Sequence, residues 1–120
     1  MPLGPDDLVL CSGTLPRGVP IRERLAAAAA GGFAGISLWG RDYREARDEG
    51  LSDTDIRALL ADHGLAVAEL DPAWWWLPGA DRAFPPEADT EDVFCHREDD
   101  LFAIADAVGA RSLKIGRAHV

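Results

Sequence analysis

Two acids, Glu69 and Asp71, close an apolar run that begins at Gly64, and Pro72 and the tryptophans Trp74, Trp75 and Trp76 follow at once. A carboxylate within hydrogen-bond reach can bind a hydroxyl or move a proton. Indole faces pack against the apolar face of a sugar-like ring. A buried parallel strand reads as a nearly continuous apolar stretch, and α/β folds bind ligands at the carboxyl ends of such strands. The stretch Gly64-Leu-Ala-Val-Ala-Glu-Leu-Asp-Pro-Ala-Trp-Trp-Trp76 thus gathers acids and aromatics where a polar, ring-shaped ligand would sit. Trp39, at the end of another apolar run, and Lys114, in the segment 111–115, join Glu69, Asp71, Trp74 and Trp75 as candidate substrate contacts. No residue is singled out as catalytic.

Each candidate also has a plainer reading. Glu69 can be a structural interior carboxylate, Asp71 a turn residue bonded to nearby backbone before Pro72, and the tryptophans rim packing. His63 falls in the last turn of a helix, where the dipole favours it. His96 falls early in a later helix and is expected on the solvent side. Cys11 and Cys95 lack CxxC spacing, give neither a zinc pattern nor a disulfide framework, and read as reduced small hydrophobes.

The elements that must position these residues follow in order. Residues 8–11 form a short apolar strand. Pro20 suits the first turn of a helix that runs from Ile21 through the alanine block Ala26 to Ala30. Ile21, Leu25 and Ala28/Ala29 are its apolar stripe, with Arg22, Glu23 and Arg24 at a solvated start. Gly31 and Gly32 end it, and residues 33–39 are a second strand. Residues 41–49 have helical spacing with little apolar content, which fits an exposed short helix or loop. Ser52 caps the next helix, with Asp53 and Asp55 in its first turn; Ile56, Leu59, Leu60 and His63 follow before Gly64 stops it. A long loop from Leu77 to about Asp92, rich in Pro, Gly and acids, has a length that marks function or disorder. Thr90 or Asp92 caps a last helix that runs to about Val108, with Phe94, Leu101, Ile104, Ala105 and Val108 inward. Gly109 closes that helix and residues 111–115 read as a fourth strand.

Bulk composition narrows the class. The chain has 120 residues, one domain or a piece of one. Its formal charge of −9, from 21 acids against 12 bases, opposes nucleic-acid binding, which calls for clustered Lys and Arg. No apolar run approaches the ~20 residues of a membrane span, and the start, with Asp6 and Asp7, lacks the basic region of a signal peptide. A cytoplasmic protein with a small-molecule partner, no nucleic acid and no membrane is expected; a homo-oligomer stays open.

Three glycine-hinged segments repeat: Gly32-Phe-Ala-Gly-Ile-Ser-Leu38, Gly64-Leu-Ala-Val-Ala-Glu-Leu70 and Gly109-Ala-Arg-Ser-Leu-Lys-Ile115 each lead a helix end into a strand. Strands alternating with helices specify right-handed crossovers and a parallel sheet. The expected fold is α/β, with parallel (βα) repeats forming the N-terminal half of a (β/α)8 TIM barrel, because a whole barrel needs about 250 residues. Residues 1–120 would be the barrel's first four strands. Ile115-Gly-Arg-Ala-His-Val120 matches one reading frame of a widely used sequencing adapter, so residues 115–120 are expected to be a non-native tail. His119 is then no evidence of a metal or catalytic site. With Ile36 and Leu38 toward the helices, strand alternation turns Ser37, Trp39, Val67, Glu69, Asp71, Ser112 and Lys114 to the barrel interior. Glu69 and Lys114 are expected to form an interior ion pair there, since a charge buried alone is costly.

The run Arg24-Leu-Ala-Ala-Ala-Ala-Ala-Gly-Gly-Phe-Ala-Gly-Ile-Ser-Leu-Trp39 resembles the first helix and second strand of the xylose isomerase-like barrel superfamily, whose signature there is a helix followed by Gly-Phe-x-Gly-Ile/Val-Glu-Leu. Residues 51–72, with His-Gly-Leu-x-Val-x-x-Leu, are similar to the next repeat, and residues 101–113, with Ala-x-x-x-Gly-Ala-x-x-Leu, to the one after. The superfamily includes sugar phosphate isomerases/epimerases, inosose dehydratases and nucleases acting at apurinic sites; the acidic charge speaks against the last. The resemblance implies a fragment of a metal-dependent sugar or sugar-phosphate isomerase/epimerase that works by proton transfer next to a carbonyl. A cyclitol (inosose-type) dehydratase on the same barrel, or a non-catalytic α/β binding module, are the alternatives. It further implies a divalent metal (Mn, Mg, Co or Zn) in the full-length parent, held by Glu, Asp and His residues in the barrel's second half. None of those ligands falls in this sequence, so the fragment alone is expected to be inactive. Ser37 stands where many relatives carry Glu, which alters the substrate contacts at that point.

Overall fold

The computed structural model describes residues 2–73, 78–79 and 96–115. Strands β1 (Val9–Cys11), β2 (Gly35–Trp39), β3 (Ala66–Ala73) and β4 (Leu113–Ile115) alternate with helices α1 (Ile21–Ala30), α2 (Gly40–Asp48), α3 (Asp53–Asp62) and α4 (Glu98–Val108). The strands lie in the order β1-β2-β3-β4 and every neighbouring pair is parallel. This is the sequential layout of half of a (β/α)8 barrel, as the repeat pattern requires.

Local chemistry sets the boundaries. Gly32, Gly64 and Gly109 take φ values of 79°, 65° and 68°, the left-handed region that a Cβ penalises, and each turns a helix end toward the next strand. Ser52 Oγ accepts from the Asp55 N–H at 3.1 Å, while the Asp55 carboxylate accepts from the Ser52 N–H at 2.9 Å. That reciprocal box starts α3. The Thr90 or Asp92 cap and Phe94 lie outside the described residues. The described helix α4 has Arg97 as N-cap and the acids Glu98, Asp99 and Asp100 in its first turn, where the macrodipole favours them. His63 is the C-cap of α3, with Nδ1 2.9 Å from the Leu59 carbonyl oxygen.

The core lies on the helical side of the sheet. Ile36 and Leu38 of β2 and Val67 and Leu70 of β3 meet Leu25 and Ala28 of α1, Ile56 and Leu60 of α3, and Leu101, Ile104 and Val108 of α4. Burying such a side chain contributes roughly 1.5–3 kcal/mol, so this layer dominates stability and the opposite side of the sheet is left for polar groups. No helix among the described residues is long and apolar enough to cross a membrane.

Four placements differ from the sequence reading. Val67 faces the helices, not the interior, because the ladder slips: Ile36 pairs with Val67 but Ser37 pairs with Glu69, leaving Ala68 as an extra residue. Such a bulge shifts the alternation by one. Arg24 is buried at 1% exposure rather than solvated. The charged segment after β2 is a helix that buries Arg41, Asp42 and Ala46. His96, at 1% exposure, packs against the start of α2 instead of facing water. Cys11 is a free cysteine on β1, reduced as the sequence reading expects, and it is exposed; Cys95 lies outside the described residues.

Candidate active site

The register aligns the side of the sheet away from the helices into rows. Cys11, Ser37 and Glu69 share one row, and Trp39 and Asp71 share the next, at the carboxyl ends of β2 and β3. Pairing of Leu70 with Leu113 then brings Lys114 alongside Asp71. Lys114 Nζ lies 3.9 Å from Asp71 Oδ1, with the lysine side chain 59% exposed and the aspartate 12%. The expected Glu69–Lys114 ion pair is therefore replaced by Asp71–Lys114: the register, not side-chain reach, selects the partner. Ser112 takes the place beside Glu69 and donates from Oγ to the Ala68 carbonyl at 2.8 Å.

Asp71 is the most perturbed group of this rim. Burial pushes its carboxyl above the ordinary value of 3.8, the negative charge of Glu69 pushes the same way, and the Lys114 ammonium pulls back. Its Oδ1 has no hydrogen-bond partner among the described residues. A carboxyl raised by desolvation and a like charge, at a strand end, holds its proton to higher pH than a free aspartate does.

Trp39 stands next to Asp71, half-buried and held from two sides. A Cβ at Gly13 would lie only 2.7 Å from Trp39 Cζ2, so the indole rests directly on the loop after β1. The Arg41 guanidinium carbon sits 4.7 Å from the ring centroid, a cation–π contact. Trp74, Trp75 and Trp76 lie outside the described residues.

Sequence reasoning missed the polar cluster behind this rim. Asp42 Oδ2 accepts from Ser12 Oγ at 2.7 Å and from the Trp39 N–H at 2.9 Å, while Arg24 Nε lies 3.5 Å from Asp42 Oδ1. Arg24 also donates to the carbonyls of Val19 (2.8 Å), Ser12 (2.9 Å) and Pro16 (2.9 Å) and to Ser12 Oγ (3.1 Å). The Ser12 N–H donates to Ser37 Oγ at 3.3 Å. One signal was available: Arg24 falls between Ile21, Leu25 and Ala28 at helical spacing, on the stripe that is buried.

Among the described residues no three His, Cys, Asp or Glu side chains come together in a way that could hold a metal ion. The ligands that the resemblance implies are expected outside this sequence.

Successive parallel βα units define the class: an α/β half-barrel, with Trp39 and Asp71 at the carboxyl ends of β2 and β3. No protein-family model matches the chain, and no curated protein matches it in sequence. Among solved structures it is similar to the probable 3-DHS dehydratase AsbF, involved in petrobactin synthesis, from Bacillus anthracis. The TM-score is 0.61 at 13% identity, and the match covers 91% of this chain but 37% of that one. At that identity the likeness shows the fold alone, parallel strands alternating with helices as in half of a TIM barrel.

Proposed function

We propose that this chain supplies the first βα units of a xylose isomerase-like barrel enzyme, and that the enzyme dehydrates a small, polyhydroxylated carbonyl compound. The observation that carries the reading is the rim itself: Asp71 with a raised proton affinity, Glu69 and Lys114 around it, and Trp39 as a wall beside it. In the dehydration a base removes the proton from the carbon next to the carbonyl. The electron pair of that C–H bond becomes the new C=C bond, and the C–O bond on the next carbon breaks. An acid delivers a proton to the departing oxygen, so one water leaves and no redox partner is needed. Asp71 suits the acid role, because a carboxyl that keeps its proton longer can give it to a leaving hydroxyl. Isomerisation or epimerisation shares the first proton removal and differs only in where the proton returns. The likeness to a dehydratase favours elimination over that reading. The expected partner remains a small sugar-like molecule; the divalent metal would depend on ligands outside the described residues.

The test offers the enzyme an inosose or 3-dehydroshikimate in D2O. Growth of ultraviolet absorbance from the conjugated product, with loss of water by mass, is expected, and Asp71→Asn should slow it. Deuterium exchange next to the carbonyl without water loss would replace dehydration by isomerisation or epimerisation. The absence of both signals would overturn the proposed enzyme.

A further inference from the structure

The Arg24–Asp42 cluster is costly and sits where nothing in the proposed chemistry uses it. Both side chains are almost fully buried, and a buried ion pair is weak as a source of stability because desolvation offsets its attraction. Its better-attested use is to specify one geometry. The geometry specified here is readable. Arg24 grips carbonyls at the start, middle and end of the loop between β1 and α1: Ser12, Pro16 and Val19. Asp42 ties that loop, through Ser12 Oγ, to the backbone N–H of Trp39. Gly13, the next residue in the held loop, touches the indole, and Arg41, one residue before Asp42, covers the ring.

We propose that Arg24 and Asp42 are positioning residues for Trp39, fixing the loop after β1 and the first turn of α2 so that Gly13 and Arg41 hold the indole at one place in the ligand wall. This rests on the reading of Trp39 as a wall of the active site. Only a planar guanidinium with its fork of donors can reach the spread carbonyls and the carboxylate together; a lysine ammonium is a point charge and cannot. The first βα loop is accordingly a fixed wall and not a closing lid.

The chain labelled with 5-fluorotryptophan provides a readout independent of any reaction. Its Trp39 fluorine resonance is identified by loss of that signal in Trp39→Phe. In Arg24→Lys, Asp42→Asn and Gly13→Ala the Trp39 resonance should shift or broaden while the other tryptophan signals hold. Should Arg24→Lys fail to fold, Ser12→Ala, which removes one hydroxyl of the cluster, carries the same expectation. A Trp39 resonance unmoved in the folded cluster variants overturns the proposal. In the whole enzyme the same variants should lose up to about 100-fold in kcat/KM, carried by KM with kcat retained, as loss of binding shared by ground and transition states predicts. A loss confined to kcat overturns the positioning role. A shifted Trp39 in a protein with no turnover leaves positioning standing and removes the dehydratase reading alone.

Discussion

Gly40 opens α2 where β2 ends, and a methyl group there would meet a wall. A Cβ at this position lies 2.7 Å from His96 Cδ2, 2.9 Å from His96 Nε2 and 3.2 Å from Leu101 Cδ2. Two effects of Gly40→Ala oppose one another. Alanine is favoured over glycine inside a helix by up to about 1 kcal/mol, and by less at the first helical position. Overpacking a close-packed site costs about 1–3 kcal/mol. His96 and Leu101 are buried to 1% exposure or less, so neither has a void to move into, and the clash wins. A net loss of about 1–2 kcal/mol is expected. With a urea m-value of roughly 2 kcal/mol/M, the unfolding midpoint should fall by about 0.5–1 M, followed by far-ultraviolet circular dichroism. In a His96→Ala background the imidazole is gone and the same substitution should cost less, giving a coupling on the order of 1 kcal/mol. A neutral or stabilising Gly40→Ala, or the absence of coupling, would refute the packing of His96 against the β2–α2 junction.

Three further perturbations test the rest of the framework. Leu70→Ala empties a fully buried position on an inner strand and should cost about 2–5 kcal/mol in equilibrium unfolding; a loss well under that range would mean that the strand is not in the core. Asp71 has a raised folded-state pKa, so its contribution to stability is full below the unfolded value of 3.8 and is lost as pH rises through the folded value. Asp71→Asn should therefore melt above the parent at pH 7, with the gap closing on acidification; a gap that widens instead contradicts the sign. Ser52→Ala removes the cap of α3 and should cost about 1 kcal/mol. The hydrogen bonds from Ser52 hold the Asp55 carboxyl below its usual range. An NMR titration should show that carboxyl returning toward 3.8 in the variant, and stability lost as pH falls through the depressed value should be weaker.

The order of elements was legible because its signals are local. Apolar runs, a Ser-x-x-Asp cap and glycines at helix ends act within a few residues, and Gly32, Gly64 and Gly109 carry the positive φ that their places require. Trp39, Glu69, Asp71 and Lys114 could be put on the side of the sheet away from the helices for the same reason. What failed was non-local. Lys114 meets Asp71 and not Glu69 because β4 pairs Leu113 with Leu70, a register that no short window contains. Arg24 looked solvated because its carboxylate partner is on another helix. His96 is buried by Gly40, a residue whose lack of a side chain creates the space.

The bulge at Ala68 links the fold to the chemistry of the rim. Strict alternation offers β3 only two outcomes. With Val67 among the helices, Glu69 and Asp71 would be driven into the apolar layer, where unpaired charge is costly. With the acids outward, Val67 would leave the core and Leu70 would be the only large β3 side chain from the pair to remain there. The extra residue removes the choice: Val67 and Leu70 both pack against the helices, and Glu69 and Asp71 both face away from them. The apolar spacing Leu65, Val67, Leu70 records that change of phase in the sequence, since two steps of two would have landed on Glu69. The neighbouring carboxylates that result are what raises the proton affinity of Asp71 beyond the effect of burial, with Lys114 only partly opposing it. A single irregularity in one strand thus supplies both a filled core and a carboxyl with raised proton affinity beside Glu69.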